Sequence, residues 1–132
     1  MVPSVELQKT LVSELSKGSY PVLEIVPADN DAFPLITISD LNRQTNYTKT
    51  NKNRFTYSVR VRGWSIGRSS LVNKEIDDFV FKTVTGLQME HYDVEFVELV
   101  LNANTREEET KDRIVFQSIQ EFEITISEKG ED

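Results

Sequence analysis

The sequence predicts an α+β fold: a largely antiparallel or mixed β-sheet packed against two helices, in the order α-β-β-β-α-β-β, with a long β-hairpin arm. Three observations carry this. Residues 5–17 and 71–85 each repeat apolar side chains near the helical period and each is followed by a glycine, Gly18 or Gly86. Residues 54–62 alternate strictly, with Phe55, Tyr57, Val59 and Val61 on one side and Thr56, Ser58, Arg60 and Arg62 on the other. Residues 114–126 carry Ile114, Phe116, Phe122, Ile124 and Ile126 at even positions, as one long strand or two collinear ones would. A length of 132 residues fits a single domain over 1–132.

The elements follow in order. Val5, Leu11, Val12 and Leu15 mark the inner face of the first helix, with Ser4 available as its N-cap and Gly18 as its terminator. Pro21 and Pro27 bracket Val22-Leu23-Glu24-Ile25-Val26, a β-rich run too short for a helix. Residues 33–39 read as a second strand, in which Pro34 must occupy the first position or an exposed edge. Residues 44–53 are polar, Asn- and Thr-rich, with Tyr47 as the sole aromatic, and read as a mobile loop tipping a β-arm over 43–54. Gly67-Arg68-Ser69-Ser70 supplies a turn and cap before a helix whose apolar positions are Leu71, Val72, Ile76, Phe79, Val80 and Val84. Tyr92, Val94 and Phe96 share one parity and Leu99 and Leu101 the other, which requires a bulge near Val97 or Glu98 if both sets face the core. Glu107-Glu108-Glu109 reads as an acidic turn, and residues 127–132 as a solvated tail.

Composition narrows the chemistry. With no cysteine and only His91, thiolate nucleophiles, zinc–thiolate sites and paired-histidine metal sites are excluded. No G-x-S-x-G elbow is present, and no apolar run approaches the ~20 residues that cross a bilayer. The expectation is a protein that is intracellular where it is made and that contacts no membrane. Asp93, Glu95 and Glu98 with Glu109-Thr110-Lys111 faintly resemble the carboxylate-and-lysine sets of metal-dependent nucleases, but their flanks are so charged that a solvated run explains them better. The Gly67–Ser70 turn is read as capping rather than anion binding, and His91 as a boundary residue without a special role. No catalytic, cofactor-binding or metal-binding residue is assigned, and the chain is not expected to be an enzyme.

Charge is the most informative feature. The net charge is −7, yet residues 41–74 contain eight bases (Arg43, Lys49, Lys52, Arg54, Arg60, Arg62, Arg68 and Lys74) and no acid, a local charge of +8 against −15 elsewhere. Such a split favours contact with another macromolecule or with a second copy in a head-to-tail ring. Arg43, Tyr47, Lys49, Lys52 and Arg54 are the candidate interaction arm. A single aromatic is poor equipment for stacking single-stranded nucleic acid, so an acidic protein surface is the favoured target.

The element order, together with Pro27, Phe33-Pro34-Leu35-Ile36-Thr37-Ile38, Tyr57-Ser58-Val59-Arg60-Val61-Arg62-Gly63-Trp64-Ser65, the helix through Ile76 and Phe79, and Phe122-Glu123-Ile124-Thr125-Ile126, resembles the tail-completion or tail-terminator proteins of phages with long non-contractile tails (siphoviruses). The resemblance runs from Val5 to Ile126. It implies a non-catalytic virion subunit, made in the bacterial host cytoplasm, that closes into a homo-hexameric ring at the head-proximal end of the tail. Such a ring caps the tail tube protein and meets the head connector protein, and DNA passes through its lumen without specific binding. Charge then assigns Glu107, Glu108 and Glu109 to the bore or its rim, where acids repel passing phosphates. A different head–tail connector or minor virion protein, or a phage-encoded nucleic-acid-binding module or nuclease, are the alternatives.

Overall fold

The computed structural model describes residues 2–24, 33–43, 54–67, 70–110 and 113–129, without the side chains of 109, 110 and 113. The elements are α1 (Pro3–Leu15), β1 (Val22–Leu23), β2 (Leu35–Arg43), β3 (Arg54–Gly67), α2 (Leu71–Thr85), β4 (Tyr92–Thr110) and β5 (Arg113–Glu128). They form the α+β order and mixed sheet that the sequence predicts. The sheet has five strands in the order β1-β2-β3-β5-β4; β1 runs parallel to β2, and every other pairing is antiparallel.

Alternation in β3 and β5 decides where the core sits. β3 pairs with β5 along its whole length, from Arg54↔Ser127 to Gly67↔Ile114, so odd β3 positions and even β5 positions share one face. That face carries Tyr57, Val59, Val61, Phe122, Ile124 and Ile126, all buried against both helices. From α1 it receives Leu7, Leu11 and Leu15, a stripe of four-residue spacing, and from α2 it receives Ile76, Val80 and Val84. The predicted inner face of the first helix is therefore turned: Val5 is 43% exposed, and Val12 only flanks the core. Ser4 is not the N-cap. The helix starts two residues earlier, with Pro3 at its first position and Val2 before it, because proline has no N–H to leave unsatisfied there. Ser70 does precede α2, without a side-chain cap bond, and Leu71 and Val72 face solvent.

Gly18 follows α1 as predicted, but it is not in the left-handed region. Its function is space: a Cβ there would lie 2.4 Å from Phe79 Cζ, so the missing side chain lets the Phe79 ring of α2 pack against the end of α1. Tyr20 closes the same contact, its ring centroid 6.0 Å from that of Phe79. Gly63 does likewise beneath α2, where a Cβ would meet Ile76 Cγ2 at 2.6 Å. Next to it the core turns polar. Asn73 accepts a hydrogen bond from the Ser65 hydroxyl and donates to the Gly63 carbonyl at 3.1 Å, while Gln120 donates to the Asp77 carbonyl at 3.0 Å. Burial raises the Asp77 carboxyl above the usual carboxylate range, a shift that the nearby polar side chains of Ser118 and Gln120 oppose.

Four further boundaries differ from the sequence reading. The register of β4 shifts between Val94 and Phe96, again between Leu99 and Leu101, and again between Glu108 and Thr110, rather than near Val97 or Glu98. Tyr92 and Val94 face the core, the first shift then brings Val97 and Leu99 inward, and Phe96 is left 57% exposed. Residues 107–109 are not a turn but strand, since β4 pairs with β5 through Thr110↔Arg113. β5 continues to Glu128 with Ser127 buried, so the solvated tail does not begin at 127. Arg43 and Arg54 are strand residues ending β2 and beginning β3, while the loop 44–53 lies outside the described residues.

Candidate interaction surface

Both helices cover one face of the sheet and leave the other without a helix on it. That face is built from even positions of β3 and odd positions of β5, with register partners from β2 and β4. Its centre is a set of cross-strand polar pairs. Arg54 Nε donates to Glu95 Oε2 at 2.7 Å, Arg60 Nε to Glu121 Oε1 at 3.0 Å, and the Thr56 and Thr125 hydroxyls share a hydrogen bond of 3.0 Å. Arg62 donates to the Ser39 hydroxyl and lies 3.9 Å from the Asp40 carboxylate. Asp40 occupies the irregular stretch of β2 at φ 56°, a backbone conformation that aspartate tolerates. Trp64 sits on this face too, donating from Nε1 to Thr37 Oγ1 at 2.9 Å. Strand alternation sends its neighbours Gly63 and Ser65 to the opposite side, beneath α2.

Toward β4 the surface changes character. Phe96, Val100 and Leu101 are 57%, 42% and 40% exposed, and the register sets Phe96 opposite Thr125 and Leu101 opposite Glu121, both on the helix-free face. Between them Glu98 stands opposite Glu123. Neither has a basic partner among the described residues, so two like charges face each other across the strands, a destabilising arrangement. Solvent-facing apolar residues around unpaired acids are a poor surface for an isolated subunit and a good one for an interface.

The predicted arm is only partly within view. The Arg43 guanidinium lies 4.9 Å from the centre of the Phe55 ring, and Arg54 is bound to Glu95; Tyr47, Lys49 and Lys52 lie outside the described residues. Arg43, Phe55, Tyr57, Tyr92, Glu128 and the start of α1 line an open cleft of about 430 Å³. Of the predicted acidic set, Glu107 and Glu108 are exposed on β4, opposite Val115 and Ile114 respectively, so alternation sends them to opposite faces of the strand. Glu109 contributes only its backbone to the description.

Asp93, Glu95 and Glu98 also lie on β4, and among the described residues no group of three His, Cys, Asp or Glu side chains could hold a metal ion. His91 has a partner that spacing could not reveal. Its ring Nδ1 is 2.7 Å from Glu6 Oε1, and its backbone N–H donates to Glu6 Oε2 at 3.0 Å. Burial works against ionisation of Glu6, but the His91 backbone and ring hydrogen bonds and the charge of the ring outweigh it and hold the carboxyl below the usual range. The pair fastens the start of α1 to the start of β4. The only hint in the sequence was an acid in the first helical turn.

No family model matches the chain, and no curated protein does. Among solved structures it is similar to a chain from the virion of a native gene transfer agent (GTA) particle, with a TM-score of 0.74 and 12% identity over 94% of this chain and 96% of that one. It is also similar to the gp17 protein of bacteriophage SPP1, with a TM-score of 0.50 and 17% identity over 98% of this chain and 93% of that one. At such identities the likeness is one of fold.

Proposed function

We propose that this chain is a structural subunit of a phage-like virion, which caps the tail tube as a ring of identical copies and offers the surface at which head and tail join. The observation that carries the reading is the agreement in fold, end to end on both chains, with a chain from a gene transfer agent virion. The likeness to a bacteriophage protein over 98% of the sequence points the same way. The surface supports it independently, since exposed Phe96, Val100 and Leu101 beside unpaired acids equip the subunit for protein contact.

In this reading the basic arm, with Arg43, Tyr47, Lys49, Lys52 and Arg54, reaches a neighbouring subunit, the tube or the connector. Glu107 and Glu108 lie at the far end of the β4–β5 hairpin, where their charge suits the rim of a DNA passage, and Glu109 adjoins them in sequence. The chain performs no chemical conversion; its activity is fit. The test is genetic. Particle-producing cells lacking the chain should accumulate filled heads and separate tails, and supplying the protein should restore joined particles. Joined, infectious or transducing particles in its absence overturn the proposal.

A further inference from the structure

We infer that the helix-free face over β4 and β5, centred on Glu98 and Glu123 and bordered by Phe96, Val100 and Leu101, receives the basic 44–53 segment of a second copy of this chain, with Lys49 and Lys52 meeting the two carboxylates. The inference deepens the ring reading above and rests on it.

Three features of the molecule support this. First, Glu98 and Glu123 face each other across the strands without a base among the described residues, so a cation placed between them relieves their repulsion. Second, the bases of residues 41–74 include two contrasting groups. Arg54, Arg60 and Arg62 are engaged within the chain by Glu95, Glu121 and Asp40, whereas Lys49 and Lys52 belong to a ten-residue stretch with no acid and one aromatic, Tyr47. Cations with an aromatic match acids with an apolar border. Third, β2 ends at Arg43 and β3 begins at Arg54, both at the end of the sheet where β4 begins and β5 finishes. Half of ten residues spans at most roughly 17 Å, enough to cross a subunit boundary. The register shifts of β4 also disfavour plain strand addition along its edge, which leaves the side-chain face as the surface on offer. An acidic face repels phosphates, so nucleic acid is the poorer occupant.

The absence of cysteine makes the test clean, because each introduced thiol is unique. Copies carrying Tyr47→Cys are mixed with copies carrying Leu101→Cys and treated with a short bismaleimide. Mixtures of Tyr47→Cys with Lys9→Cys, on the outer side of α1, give the collisional background. The cross-linked dimer should exceed that background about tenfold, equivalent to ~1.4 kcal/mol of preference. Glu98→Lys with Glu123→Lys on the Leu101→Cys copy should bring it back to background, and Lys49→Glu with Lys52→Glu on the other copy should restore it. A yield equal to background overturns the inference, as does loss without restoration. Linking within a Tyr47→Cys/Leu101→Cys double variant but not between chains also overturns it, since the segment then covers its own face. If linking fails while the protein still joins heads to tails, only this inference falls; if linking succeeds in a protein dispensable for joining, only the functional reading does.

Discussion

A methyl group at Gly18 has nowhere to go, because the Phe79 ring already occupies the space a Cβ needs, with ring atoms at 2.4, 2.8 and 2.9 Å. Gly18→Ala should therefore cost ~1–3 kcal/mol in urea unfolding through overpacking. Gly67→Ala, with no atom within 4 Å and no positive φ, should be neutral or gain up to ~1 kcal/mol. Equal effects contradict the close-approach account. The sequence marked Gly18 as a helix terminator, the right residue for a different reason, since the neighbour that requires it lies in another helix. Glu6 makes a prediction about pH. Its carboxyl titrates lower folded than unfolded, so the stability it contributes is complete above the usual carboxylate range and is lost as pH falls through the folded value. The deficit of Glu6→Gln relative to the native chain should thus be largest near neutrality and shrink in acid; a deficit constant with pH contradicts the assignment.

At the scale of elements, β4 separates what a sequence can disclose from what it cannot. Its change of parity was legible, because Val94 and Leu99 cannot both face inward on an unbroken strand. The place of the change was not. Glu95 carries no mark of a bulge, and Phe96 looks like a core aromatic until the register with Thr125 turns it outward. For the same reason the first helix was recognised while part of its inner face was misjudged: Val5 and Leu7 are both apolar, and it is packing on the sheet, in line with Leu11 and Leu15, that buries Leu7. Removing Val100 takes out the extra residue at the second shift while leaving Leu99 inward and Leu101 outward. The deletion variant should stay folded but expose a straighter edge, and so self-associate more by light scattering. Phe122→Ala should cost ~3–5 kcal/mol, since the ring is wholly buried. Phe96→Ser should change stability by no more than ~0.5 kcal/mol while impairing assembly, and a large loss of stability there would place Phe96 in the core after all.

For the molecule as a whole, the split between a basic stretch and an acidic remainder was readable from residue order alone, as were the layer architecture and element order. Its physical meaning was not. Among the described residues, Arg54, Arg60 and Arg62 are held by acids of the same chain, across strands far apart in sequence, so the split partly closes on itself. These exposed pairs contribute ~0–1 kcal/mol each. The proposed subunit acts by occupying a position in a particle. The most direct test is electron cryomicroscopy of tail tubes purified from particles lacking the chain, before and after the protein is added. A closed ring of identical subunits at one tube end, with density matching this fold, is the predicted result; bare tube ends with all the protein left in the supernatant would contradict it.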